Sequence, residues 1–336
     1  MISWLRQEKV TEAHVMVVGC GALGNEVMKN LALFGVGHLV LVDFDRVEAS
    51  NLNRSVLFRQ TDAEQGRYKV EAAAERLKEL NPLMEIKTIC GDIAHDVGLG
   101  LIRRMNVIIG CVDNRWARYC INRLAMRAGV PWVDGGIEGL DGTARVFIPG
   151  KNCYACNLGP EGLKEIGRRF SCAHDIRMNE EAGHVPTTPV IASIIGAVEA
   201  QEAMKLIHGE QIESGELTGL CGHMFCYEGQ HLTTRIVDFR AYDDDCPVHD
   251  LWEPVVQTQI STRHTVRETL ATLRNILKAE QVHWEIYYNN AYREINDTCP
   301  YLDLSLTQLG IPAQEVLWVH AENRDYYVEL KDETEL

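Results

Sequence analysis

Residues 15 to 24, VMVVGCGALG, place a short apolar run directly before the glycines Gly19, Gly21 and Gly24. A helically spaced stretch, Asn25 to Phe34, follows, then a second apolar run that begins at His38 and closes on Asp43, nineteen residues after Gly24. Few folds accept this order of strand, glycine loop, helix, strand and acid. The glycines let backbone N–H groups approach phosphate at a helix N-terminus, and the acid can bind ribose hydroxyls. Taken alone, the loop indicates NAD or FAD.

The pattern continues. AAAERLKEL reads as a helix stopped by Asn81-Pro82, followed by a strand EIKTIC, a polar helical stretch, a strand NVIIGCVD, a helix from Asn114 to Ala128, and PWVDGG. Strands alternating with helices predict an α/β fold with a Rossmann-like, doubly wound parallel sheet. GTARVFIPG reads as an antiparallel addition, residues 157–186 as irregular, Thr188 to His208 as a long helix, and FCYEGQHLTTRIVDF as a hairpin turning at Gly229-Gln230. The polar stretch AYDDDCPVHD sets a domain boundary near residue 250. Beyond it, one helix (VRETLATLRNILKAE) and four or so strands predict a small α+β domain over 251–336.

Charge and cysteine use narrow the function classes. The 336 residues carry 33 Lys+Arg against 48 Asp+Glu, a formal net charge of −15. That balance argues against a nucleic-acid partner, which demands a basic footprint. No run of about 18 apolar residues points to a membrane span. MISWLRQEKVTEAH has no apolar run of signal-peptide length, and the 11 cysteines then favour reduced thiols, metal binding or catalysis in a cytoplasmic protein.

After Asp43 come Asp45, Asn51, Arg54, Lys69 and Asp113. A hydride enzyme has no use for Arg and Lys beside a phosphate chain; a nucleotidyl transferase does, because they neutralise the β- and γ-phosphates as pyrophosphate leaves. Asp113, at a strand end, can hold Mg²⁺. The plain alternatives are that Asp113 caps the following helix and that Arg54 and Lys69 are solvated surface groups. Cys153-x-x-Cys156 and Cys246-x-x-His249 have paired tetrahedral Zn²⁺ spacings, with four protein ligands and so a structural role. Cys172, in RRFSCAHDIR beside Arg168 and Arg169, is either a thiol nucleophile or a small buried residue.

Together, D43-F-D45, S50-N51-L-N53-R54, G66-R-Y-K69 and D113-N114 resemble the adenylating domain of the ubiquitin-activating enzyme superfamily, which includes the ThiF/MoeB sulfur-carrier adenylyltransferases. The resemblance covers residues 14 to 240. It implies ATP as cofactor, with Asp43 on ribose, Asn51 and Arg54 on ATP, Lys69 on phosphate and Asp113 on Mg²⁺; Arg118 and Asn122 also match family positions. Family members usually carry cysteine where this chain has His249.

In the catalytic subunits of eukaryotic-type activating enzymes, a thioester cysteine follows the zinc CxxC. That resemblance implies Cys172 as the acceptor, in an insert at about 157–186 that is much shorter than the eukaryotic one. SLTQLGIPAQEVLWVHAENRDYYVEL resembles a β-grasp ubiquitin-fold domain, in particular that of the NEDD8-activating enzyme, and implies a docked conjugating enzyme. The activity so implied has three steps: adenylation of the C-terminal glycine of a ubiquitin-like protein, capture on Cys172, and transfer onward. The alternatives are a sulfur-carrier adenylyltransferase with no obligatory thioester, or an inactive scaffold. The family's arginine supplied from a neighbouring adenylating domain has no match before Gly19, which leaves a homodimer without it or a heterodimer whose partner brings it.

Overall fold

A computed structural model describes residues 3–171, 187–289 and 291–331. The chain divides into two units: one holds the residues up to Ile93 together with Met105–Asp250, the other holds Ala94–Arg104 and the residues from Leu251 on.

The first unit begins with α1 (Gln7–Glu12), β1 (His14–Val18), α2 (Ala22–Phe34), β2 (His38–Val42), α3 (Gln60–Glu64), α4 (Lys69–Leu80) and β3 (Glu85–Ile89). The helix α5 (Leu99–Arg103) belongs to the second unit. The first resumes with β4 (Val107–Gly110), α6 (Arg115–Ala128), β5 (Trp132–Glu138), β6 (Asp141–Phe147), α7 (Tyr154–Ser171), α8 (Pro189–Ile207), α9 (Gly209–Glu213), β7 (His223–Glu228) and β8 (Thr233–Asp238). These strands form one eight-stranded sheet in the order β3-β2-β1-β4-β5-β6-β7-β8. The first five run parallel and the remainder antiparallel. HVMVV, HLVLV and VIIG are near-continuous apolar runs because helices cover both faces of a parallel sheet. Val15 lies opposite both Leu39 and Val107, which puts β1 at the centre and its glycine loop at the carboxyl edge. There the strand order reverses, the place where open α/β sheets bind ligands.

The helix α8 has small and apolar residues on most sides, and it is buried along much of its length. At Gly196 an added Cβ would stand 2.8 Å from Cβ of Glu26, so glycine sets how closely α8 approaches α2.

Two expectations change. Residues 157–171, read as irregular, continue the helix α7, with a non-helical Gly159 (φ 68°, ψ 177°) inside it. Gly159 and Pro160 look like breakers in sequence, but they mark a kink, and a proline suits the first turn of the helix that resumes. The helical stretch between β3 and β4 is only the five-residue α5. Cys172 and the rest of 172–186 lie outside the described residues.

The second unit has β9 (Val255–Gln257), α10 (Val266–Leu277), β10 (Val282–Tyr288), β11 (Ala291–Ile295), β12 (Val316–Ala321) and β13 (Arg324–Glu329). The sheet order is β11-β10-β12-β13-β9, and the first strand pairs parallel with the last. Thr265 caps α10, accepting from Glu268 N–H while the Glu268 carboxylate accepts from Thr265 N–H. Leu270, Leu273, Trp284, Val319 and Val328 form its core. Both ends of α5 are clamped within this unit: Gly100 N–H, in its first turn, donates to the Gln314 carbonyl at 2.7 Å, and Arg104, just after it, pairs with the buried Glu329 at 2.6 Å. Among the described residues no helix is long and apolar enough to cross a membrane.

Candidate functional site

The three glycines of the loop have separate jobs. Gly19 has φ +92°, and a Cβ there would lie 2.5 Å from the Cys111 carbonyl oxygen. A Cβ on Gly24 would lie 2.0 Å from the Gly19 carbonyl oxygen. These two let the loop and α2 pack. Among the described residues a Cβ on Gly21 would meet nothing within 4 Å, so Gly21 keeps an open face at the N-terminus of α2. The buried Asn25 fixes the loop from behind: its amide donates to the Cys20 and Gly21 carbonyls, each at 2.9 Å, and its oxygen accepts from Leu57 N–H at 2.8 Å.

Asp43 accepts from Cys20 N–H at 2.6 Å and from Asp45 N–H at 2.8 Å. Burial pushes its carboxyl above the ordinary aspartate value, against the pull of Lys69 and those two backbone donors. Lys69 opens α4 and donates to Asp45 at 2.6 Å. Burial works to lower its ammonium, but the charges of Asp43 and Asp45 outweigh it and hold Lys69 above the ordinary lysine value. The Arg54 guanidinium donates to the Ser50 carbonyl at 2.6 Å and to Asn53 at 3.1 Å. Asn51 accepts from Glu48 N–H at 3.0 Å and braces the same turn.

Asp113 follows β4 and is exposed. Asn114, not Asp113, caps α6, accepting from Ala117 N–H at 2.8 Å. The capping alternative for Asp113 is therefore removed, and its carboxylate stands as a hard oxygen donor suited to Mg²⁺. Gly19, Gly21, Asp43, Asp45, Asn51, Arg54, Lys69, Asp113 and Arg118 all line one cavity of about 880 Å³. Gly24 lies behind its wall.

Arg118 donates to Asp134 at 2.9 Å, to the Val112 carbonyl at 2.7 Å and to the Gly135 carbonyl at 3.0 Å. It ties the loop before Asp113 to β5. Asp134, fully buried, also pairs with Arg145. Asn122 is not at the cavity. Its oxygen accepts from Trp132 Nε1–H at 3.3 Å and from Tyr154 N–H at 3.0 Å, which holds the start of α7. Asn25, Asp134 and Arg145 escaped the sequence reading, since no motif distinguishes a buried tether from a core residue.

The second predicted cluster also assembles. Cys153, Cys156, Cys246 and His249 place their ligand atoms within 4.8 Å of one another. The Cys153 sulfur is 3.7 Å from those of both Cys156 and Cys246, and the Cys156 sulfur is 3.3 Å from His249 Nε2. Zn–S bonds of about 2.3 Å in a tetrahedron separate sulfurs by about 3.8 Å, so the donor set and spacing fit zinc. Burial pushes the Cys153 and Cys246 thiols up and the His249 imidazole down. Tyr242 stacks on His249 with ring centroids 4.4 Å apart.

The ThiF family profile matches residues 2–248. The SAMP-activating enzyme E1 of Haloferax volcanii is 33% identical over 242 residues, covering 72% of this chain and 82% of that protein. The sulfur carrier protein adenylyltransferase of Thermus thermophilus is 34% identical over 248 residues, covering 72% of this chain and 84% of that one. The crystal structure of Escherichia coli MccB with ATP has a TM-score of 0.56 at 21% identity, covering 72% of this chain and 68% of that one, a likeness of fold alone. These names support the adenylating superfamily and its sulfur-carrier branch more than the NEDD8-activating branch.

Proposed function

The chain belongs to the ThiF family, and on that premise we propose that it is an ATP-dependent adenylyltransferase acting on the C-terminal glycine of a ubiquitin-like carrier protein. One observation carries the reading: Asp43, Asn51, Arg54, Lys69 and Asp113 line the same cavity as the open face of Gly21. An NAD enzyme needs the glycines and Asp43, but not the two cations and the second acid.

The phosphates lie over Gly21 and the N-terminus of α2, whose free N–H groups accept negative charge. Asp43 keeps its backbone bonds and offers its remaining lone pairs to the ribose hydroxyls, since a carboxylate has about four acceptor sites. A carboxylate oxygen of the carrier's terminal glycine attacks the α-phosphorus. The bond from that phosphorus to the β-bridging oxygen breaks, and pyrophosphate leaves with the electron pair. Arg54 and Lys69 lower the barrier by neutralising the leaving group, for which Lys69 exchanges Asp45 for phosphate. Asp113 would hold Mg²⁺, which supplies further neutralisation of phosphate charge when bound.

The thioester belongs to a finer reading, favoured by the activating-enzyme name of one relative. In it Cys172 takes the acyl group and AMP leaves, and the C-terminal domain brings a conjugating enzyme to receive the cargo. We place the protein in the cytoplasm, as a homodimer or as a heterodimer with a second adenylating subunit. The test is mass spectrometry under non-reducing conditions, after mixing protein, ATP–Mg²⁺ and a carrier ending in glycine, with Cys172→Ala alongside. Acyl-adenylate in both samples is the expected result. A thiol-sensitive adduct in the wild type alone adds the thioester step, and adenylate in neither sample overturns the proposal.

A further inference from the structure

Behind the cavity wall lies a carboxyl group that the adenylation chemistry does not use. Glu199, on α8, is fully buried. Among the described residues, one of its oxygens has no hydrogen-bond partner and the other meets only the Cys111 thiol, at 3.9 Å, a weak donor at a long distance. The carboxyl lies flat against β5: a Cβ on Gly135 would stand 2.5 Å from Glu199 Cδ and 2.6 Å from both its oxygens.

The charged and titratable groups facing Glu199 are Asp134 of β5, Arg118 of α6 and Cys111 after β4. Asp134 is already bonded to Arg118 and Arg145. Arg118 also donates from Nη2 to the Val112 and Gly135 carbonyls and makes no bond to Glu199. From α2, Glu26 is engaged by Lys29. Among the described residues no cation is therefore placed to pair with Glu199, and a buried charge without a partner is strongly unfavourable. Burial first, and then the Asp134 charge, push its carboxyl well above the ordinary glutamate range, against the weaker pull of Arg118.

We propose that Glu199 is a neutral carboxylic acid that positions the Gly135 strand and Cys111, both on the cavity wall, and that its ionisation loosens that wall. Two neighbouring carboxyls thus divide their roles by environment, Asp134 held between Arg118 and Arg145 and Glu199 without a cation and protonated. Glu199 is a positioning residue, since it acts through Gly135 and Cys111 and touches no substrate.

A folding measurement tests this without reference to activity. In the unfolded chain Glu199 ionises near pH 4.3, while in the folded one it keeps its proton, so the folded state holds one extra proton above that pH. Stability contributed at this site then falls as pH rises, until the folded value is passed. The folding constant of the wild type, divided by that of Glu199→Gln, should fall about tenfold per pH unit as the pH rises above about 5.5, and level off only once the folded value is passed. A pH-independent ratio overturns the proposal.

Glu199→Leu serves as the reference if the glutamine variant does not fold. If neither folds, the infrared carbonyl band of a buried protonated carboxyl in the wild type at pH 7 decides, and its absence overturns the assignment. The effect on catalysis rests on the adenylation reading. There, ATP–pyrophosphate exchange by the wild type should show an alkaline decline that Glu199→Gln lacks. Absence of exchange from the wild type would count against adenylation and leave the folding test intact.

Discussion

Lys69 and Asp45 hold each other at 2.6 Å, so a phosphate must displace a carboxylate to reach the ammonium. The charges of Asp43 and Asp45 hold Lys69 above the ordinary lysine value despite its burial. A lysine raised in the folded state contributes stability that is complete below its unfolded value, near 10.4, and lost only above the folded one. Lys69 therefore stays charged throughout neutral pH, and the pH–rate profile should show no decline from it below about pH 10. Lys69→Met should lower adenylation about 10²- to 10³-fold, the range for removing one preorganised charge-stabilising donor. Pyrophosphate exchange measures it, and a loss under tenfold would move Lys69 out of the site. Asp113→Ala should cost at least as much and resist rescue by added Mg²⁺. At this scale the motif residues were legible because each must bring its own functional group. Asn25, which is bonded to three backbone groups and so fixes the glycine loop, was not, because an asparagine in the first turn of a helix looks like any other.

The glycine loop gives a paired test at the scale of elements. Gly24→Ala pushes a methyl onto the Gly19 carbonyl and should destabilise the first unit by about 1–3 kcal/mol, the usual cost of overpacking. Gly21→Ala meets no atom of the described residues and has φ −73°, which alanine adopts freely. It should fold normally and lose ATP affinity, because its methyl stands where phosphate approaches. Chemical denaturation and nucleotide titration separate the two, and equal loss of stability in both would contradict the division of roles. The Cys153, Cys156, Cys246 and His249 cluster joins the start of α7 to the end of the first unit. Zinc must displace protons from thiols that burial has pushed up, so its affinity should fall as pH falls. His249→Ala should lose stoichiometric zinc, read by metal analysis, and lower the melting temperature. The sequence revealed both half-sites through their spacing, because short-range ligand geometry is encoded locally. It concealed the helical course of 157–171, because Gly159 and Pro160 carry breaker signals whether they end a helix or only kink it. The passage through Ala94–Arg104 was equally hidden, since membership of a unit is decided by long-range contacts such as Arg104 with Glu329.

For the molecule as a whole, the formal charge of −15 favours a protein partner that presents a basic surface, because complementary charge speeds encounter. The α/β architecture was readable because alternating apolar runs and helices leave a parallel sheet as the economical packing, and the loop at its carboxyl edge fixes where a nucleotide goes. The acceptor chemistry was not readable to the same degree, since a carrier is recognised by surface shape that no short motif records. The most direct measurement is exchange of labelled pyrophosphate into ATP, with a panel of ubiquitin-fold carriers, each tested intact and without its terminal glycine. Exchange that depends on a carrier and disappears with the glycine is the expected result. Exchange indifferent to the terminal glycine, or no exchange with any carrier while NAD binds, would contradict carrier adenylation.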